Sequence, residues 1–112
     1  MDGIVTITAK VFLFPVDSGG RRTPAATSGI YCPGIDIEGH GIWTCTLQGS
    51  GDTAERSEFP FDEWCDALVM LRASTYQNMN ASSQEEFPIK EGSRTVGTIK
   101  LLSSEEQRSQ EN

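Results

Sequence analysis

Val5-Thr6-Ile7-Thr8-Ala9-Lys10-Val11-Phe12-Leu13 repeats with a period of two: every odd position is apolar and the even positions are mostly polar. Successive side chains of a β-strand point to opposite faces, so this alternation predicts a strand with one face in a core. Its threonines and β-branched residues favour the same conformation. Phe14 closes the run, and Pro15, which has no N–H to give to a ladder, ends it. The loop that follows, 15–28, is rich in Gly, Ser, Thr and Pro and contains Gly19-Gly20-Arg21-Arg22-Thr23-Pro24. A related motif, Glu91-Gly92-Ser93-Arg94-Thr95-Val96-Gly97, stands near the other end of the chain and leads into a second apolar run, Thr95–Leu102.

Between these motifs the chain reads as further short strands. Ile30–Ile37 is one, and Pro33-Gly34 within it implies an edge position or a bulge. Glu38-Gly39-His40-Gly41 reads as a hairpin turn, because glycine reaches positive φ without steric cost. Ile42–Leu47 returns as the next strand, and Gln48–Ser57 is a polar loop. Phe59, Phe61 and Trp64 cluster around Pro60, as core or plug residues more than as a base-stacking platform. Ala67–Ala73 is apolar enough for a central strand. A helix over Phe61–Leu71 competes with it, since Asp62 could cap that helix and Glu63 lies nearby. Tyr76–Glu86 is polar and is expected to be a mobile loop. Phe87–Lys90 pairs with Thr95–Leu102 across the Glu91–Arg94 turn. Six strands at short spacing, rich in turns, predict an all-β sandwich or barrel.

Composition bounds the rest. The 112 residues make one domain, expected over 1–102, followed by a polar and disordered tail over 103–112. No apolar run is long enough for a transmembrane helix, and Met1-Asp2-Gly3 has an acid where a signal peptide carries a base. A cytoplasmic location is therefore expected, with Cys32, Cys45 and Cys65 as small buried hydrophobes. With His40 as the one histidine, neither a metal site nor a catalytic triad is expected. The formal charge of −7 argues against strong binding to a phosphate backbone, which needs clustered cations.

The two motifs carry a resemblance. An alternating strand, an acidic loop residue (Asp17), Gly-Gly-Arg-x-Thr-Pro at 19–24, Gly29-Ile30-Tyr31-Cys32-Pro33, and Phe87-Pro88-Ile89-Lys90-Glu91-Gly92-Ser93-Arg94-Thr95-Val96-Gly97 follow one another in an order that resembles the C-terminal, or third, domain of translation elongation factor Tu. The match is strong at both ends and weak across 38–75. The resemblance implies a small six-stranded antiparallel β-barrel standing alone. It also implies aminoacyl-tRNA contacts at Arg21, Arg22, Glu91 and Gly92, with Gly20, Thr23, Pro24, Arg94, Thr95 and Gly97 shaping the turns. The chain departs from the pattern where it lacks an arginine before Pro33, and where Gly34 stands in place of a glutamine that the family presents to RNA. It has no Gly-x-x-x-x-Gly-Lys-[Ser/Thr], so neither GTP nor another cofactor is expected.

The arginines also have a purely structural reading. Arg21 would pair with Asp17 or Glu91, and Arg94 would anchor the fold by bonding to loop carbonyls. Two function classes follow, neither of them catalytic. The first is a protein-interaction module, either linked to translation or neutralising a toxin as an immunity protein does, with an acidic surface suited to a basic protein partner. The alternative is an accessory protein that binds aminoacyl-tRNA weakly.

Overall fold

The structure, a computed structural model, describes residues 3–102, so the tail expected over 103–112 lies outside the described residues. The fold is all-β, with one antiparallel sheet and a single α-helix among the described residues. In chain order the strands are β1 (Ile4–Leu13), β2 (Ser28–Tyr31), β3 (Gly34–Ile37), β4 (Gly41–Thr44), β5 (Thr46–Gly49), β6 (Trp64–Arg72), β7 (Phe87–Glu91) and β8 (Arg94–Leu101), with α1 at Ala73–Ala81 between β6 and β7. The sheet order is β2-β5-β6-β1-β8-β7-β3-β4.

Strand β1 is central, paired along one edge with β6 and along the other with β8. Its burial follows the alternation in its sequence: Ile7, Ala9, Val11 and Leu13 are buried, and Thr6, Thr8, Lys10 and Phe12 lie on the other face. Ala67, Val69 and Leu71 from β6, Val96 and Ile99 from β8, and Ile35, Ile37, Leu47, Phe87 and Ile89 complete the core. The aromatic cluster divides. Phe59 is buried, Phe61 packs against the core from outside, and Trp64 is exposed beside Phe12, 5.5 Å between ring centroids.

Eight strands stand where six were expected, because two of the expected strands break. The run 30–37 is interrupted at Cys32-Pro33 and the run 42–47 at Cys45. Pro33 has no N–H for the ladder, but its carbonyl accepts from the Cys45 N–H at 2.9 Å, so the hairpin continues through the break. On one side of the break β2 pairs with β5, and on the other β3 pairs with β4. The Glu38–Gly41 turn forms as expected, with Gly39 and Gly41 at φ +83° and +82°.

Of the two readings offered around 61–73 the strand is the one that forms, and one other local expectation is corrected. Residues 61–71 are not helical: Asp62 takes a positive φ of 62°, its N–H donates to the Leu13 carbonyl, and β6 starts at Trp64. The expected mobile loop over Tyr76–Glu86 is instead largely helix, since α1 runs to Ala81. Thr75 and Met79, four residues apart and so on one helical face, are its buried residues.

Candidate functional site

The first loop and the β7–β8 turn meet at one corner, bringing the two arginine-glycine motifs together. Phe14 and Gly20 bracket a tight turn in which Gly20 N–H donates to the Pro15 carbonyl at 3.1 Å. A Cβ on Gly20 would run into the Phe14 carbonyl, so only glycine fits there. Arg94, at the start of β8, donates from Nη2 to the carbonyl of Gly19 at 3.0 Å and to that of Gly20. It thus satisfies loop acceptors that no strand reaches.

Arg21 turns back toward the body of the fold. Its Nε donates to the Thr23 carbonyl at 3.0 Å, its Nη1 donates to Glu91 Oε2 at 2.7 Å, and its guanidinium lies 4.7 Å from the centre of the Tyr31 ring. Tyr31, buried at the end of β2, donates its hydroxyl to the same Glu91 oxygen at 2.6 Å. Burial opposes the charge on Arg21, but hydrogen bonding to Tyr31 and the Glu91 carboxylate outweigh it and hold the guanidinium above its ordinary pKa. Burial pushes the Tyr31 phenol up as well, and its hydrogen bond to Glu91 adds to the shift. Of the two acids that could have paired with Arg21, the structure selects Glu91.

The other sequence-predicted residues do less. Arg22, Thr23 and Pro24 are exposed. Gly92 lies in the β7–β8 turn at φ +63°, with open space where a Cβ would be. Thr95 accepts from Lys90 Nζ at 2.7 Å. Gly97 is not a turn residue: it sits within β8 opposite Leu13, where a Cβ would meet the Phe12 carbonyl. Cys45 and Cys65 are buried as expected, and burial pushes the Cys45 thiol up to about 12. Cys32 is exposed, which corrects the expectation for that residue: it stands at the break between β2 and β3, where the chain bends out of the ladder.

Beside the corner lies an open cleft of about 450 Å³ lined by Tyr31, Pro33, Gly34, Ile42, Lys90 and Glu91, among others. Gly34 is the position where the resembled family carries a polar residue. Here a Cβ would collide with Ile42 Cγ2, so the Ile42 side chain occupies that space and makes the cleft floor apolar. Sequence reasoning missed Ile42 and the role of Tyr31. The available signal was the register of a hairpin turned at 38–41, which sets Asp36 opposite Ile42 and Gly34 opposite Thr44. Among the described residues, no group of three or more His, Cys, Asp or Glu could hold a metal ion, and no helix is long and apolar enough to cross a membrane. No family model matches the chain, and no curated protein matches it.

Proposed function

We propose that the chain is a stand-alone barrel of the kind resembled in the third domain of elongation factor Tu, and that it acts by binding a protein rather than by catalysis. The observation that carries this reading is the Arg21–Glu91–Tyr31 set. The arginine that would meet a phosphate is already neutralised by a carboxylate, stacked on an aromatic ring and bonded to a carbonyl. Phosphate binding would have to break an existing ion pair in a chain of net charge −7. The adjoining cleft offers Ile42, Pro33 and Tyr31, surfaces that suit a side chain better than a sugar-phosphate.

Closure into a barrel is supported by covalent continuity. The two ends of the sheet order, β2-β5 and β3-β4, are halves of one hairpin joined through Cys32-Pro33 and Cys45. Counting each side of that hairpin as one strand would make six strands in a ring, and the bonding of β5 to β6 and of β3 to β7 supports that reading.

A filter-binding measurement with aminoacyl-tRNA tests the reading. Binding no tighter than about micromolar at physiological salt is expected. Nanomolar, salt-sensitive binding that disappears in Arg21→Ala would overturn it in favour of an RNA-binding role.

A further inference from the structure

The tip of the β3–β4 hairpin is unlike the rest of the sheet. All four residues of β4 are exposed, with Ile42 at 52% and Trp43 at 43%, on opposite faces. The Trp43 indole is held in place, since its Nε1 donates to the His40 carbonyl at 2.7 Å across the turn. Strand β4 has β3 on one edge and, among the described residues, no strand on the other. The reason lies in β6, whose pairing with β5 ends at Thr46↔Met70 and whose chain turns into α1 at Ala73. Because Cys45 N–H donates to Pro33 O, hydrogen-bonded pairing in this antiparallel ladder falls on Cys45, Trp43 and Gly41. Ile42 and Thr44 therefore turn their N–H and C=O groups toward the free edge.

The surroundings of that edge are acidic. Asp36 is directly opposite Ile42. Glu38 starts the turn, and its N–H donates not to a strand but to Gln84 Oε1 at 2.7 Å. The Gln84 side-chain amide donates in turn to the Asp36 carbonyl at 3.4 Å, on the side of β3 that faces β7, so the exposed Glu85 and Glu86 lie across β3 from that edge. His40, Lys90 and Arg72 are the basic side chains nearby: Lys90 is engaged with Thr95, and Arg72 ends β6 two residues beyond the partner of Thr46.

We propose that β4 is a docking edge for an extended, basic segment of a partner protein, which adds to the sheet as a further strand beside Ile42 and Thr44. Main-chain hydrogen bonds to the free edge would supply register, alternate apolar side chains would pack against Trp43 on one face, and on the other face the Asp36 carboxylate would receive the lysines or arginines between them. Charge decides against a second copy of this chain as the occupant, because two molecules of −7 would bring the same carboxylates together. The proposal rests on the protein-binding reading above and specifies where and what that partner is.

The test uses the full chain, isotope-labelled, and three capped peptides of about eight residues: alternating Lys-Val, alternating Glu-Val, and the Lys-Val peptide with backbone N-methyl groups along one edge. The Lys-Val peptide is expected to shift the amide signals of Ile42, Trp43 and Thr44 and to slow hydrogen exchange at Ile42 and Thr44 about tenfold or more at saturation. The Glu-Val and N-methylated peptides are expected to bind about tenfold more weakly or worse, as is the Lys-Val peptide to Trp43→Ser. Shifts confined to the Tyr31–Lys90 cleft or to the Phe12–Trp64 face would overturn the edge while leaving a protein-binding role. So would equal binding of the N-methylated peptide, or self-association that protects the same amides. Failure of the Lys-Val peptide with tRNA also unbound would overturn the edge alone. Its failure together with nanomolar tRNA binding would overturn both readings.

Discussion

The corner that holds Arg21, Glu91 and Arg94 and the tip that holds Ile42 and Trp43 belong to the same sheet and are built in opposite ways. At the corner the strong polar groups find their partners within the chain: two arginines, a tyrosine hydroxyl and a carboxylate share five hydrogen bonds and one cation–π contact. At the tip, large apolar side chains and main-chain groups lack such partners among the described residues. The motifs that look most functional in the sequence thus serve the framework, and the part proposed to meet another molecule carries no motif.

Substitutions can break or sharpen this contrast. Gly20→Ala should act most strongly, because its methyl group would meet the Phe14 carbonyl on which the turn is folded. A loss of about 3 kcal/mol is expected in urea unfolding. A loss under about 1 kcal/mol would mean that the corner yields easily and is not a rigid framework.

Glu91→Ala removes the acceptor shared by Arg21 and Tyr31, leaving a buried hydroxyl without it, for an expected loss of about 2 kcal/mol. Glu91→Gln keeps an acceptor for Tyr31 and should lose roughly half as much, since Arg21 is partly solvated. If both variants were as stable as the parent, the corner would be a surface pairing only.

Cys45, at the break between the two halves of the hairpin, gives a pH test. Its folded pKa is raised from 9.0 to about 12 by burial, so below pH 9 both states hold the proton and its contribution is fully present. Above pH 9 the unfolded chain ionises while the folded one does not. Stability should then fall by about 1.4 kcal/mol per pH unit until the folded pKa is reached. Tyr31, also shifted upward, should steepen the fall above pH 10. Denaturation midpoints from pH 8 to 11 should show this slope, and Cys45→Val should flatten it. An unchanged slope in that variant would show that Cys45 is not what titrates.

Trp43→Ser should do least to stability, within about 0.5 kcal/mol by thermal unfolding, because the side chain is exposed and lies outside the core. A loss above about 2 kcal/mol would make the tip part of the core and remove the contrast.

Much of this architecture is legible in the sequence. The alternation in Val5–Leu13 marks β1 and its buried face, and the Phe87–Leu101 stretch marks the last hairpin with its turn. Arg21 and Arg94 could be read as framework residues, though the choice of Glu91 over Asp17 needed coordinates. Helix α1 was not legible, because Ser74, Gln77, Asn78 and Asn80 hide a helical period that shows only in Thr75 and Met79. The exposure of Ile42 and Trp43 was not legible either. An apolar residue in a strand reads as core, and that these two are uncovered depends on where β6 stops pairing, a fact stored in a different part of the chain.

The pairing of β1 also bears on how the molecule assembles. Ala9 meets Ala67 on one side and Leu101 on the other, so β1 is flanked by β6 and β8, both far from it along the chain. Contacts of such long sequence separation close large loops before they gain anything, which slows folding. The β3–β4 hairpin closes over a short turn and can form while the ribosome is still adding residues. The central strand has to wait until almost the whole described chain has been synthesised, with its alternate apolar side chains uncovered in the meantime. Threonines and a lysine on its other face interrupt that apolar run and keep the waiting strand from joining its neighbours.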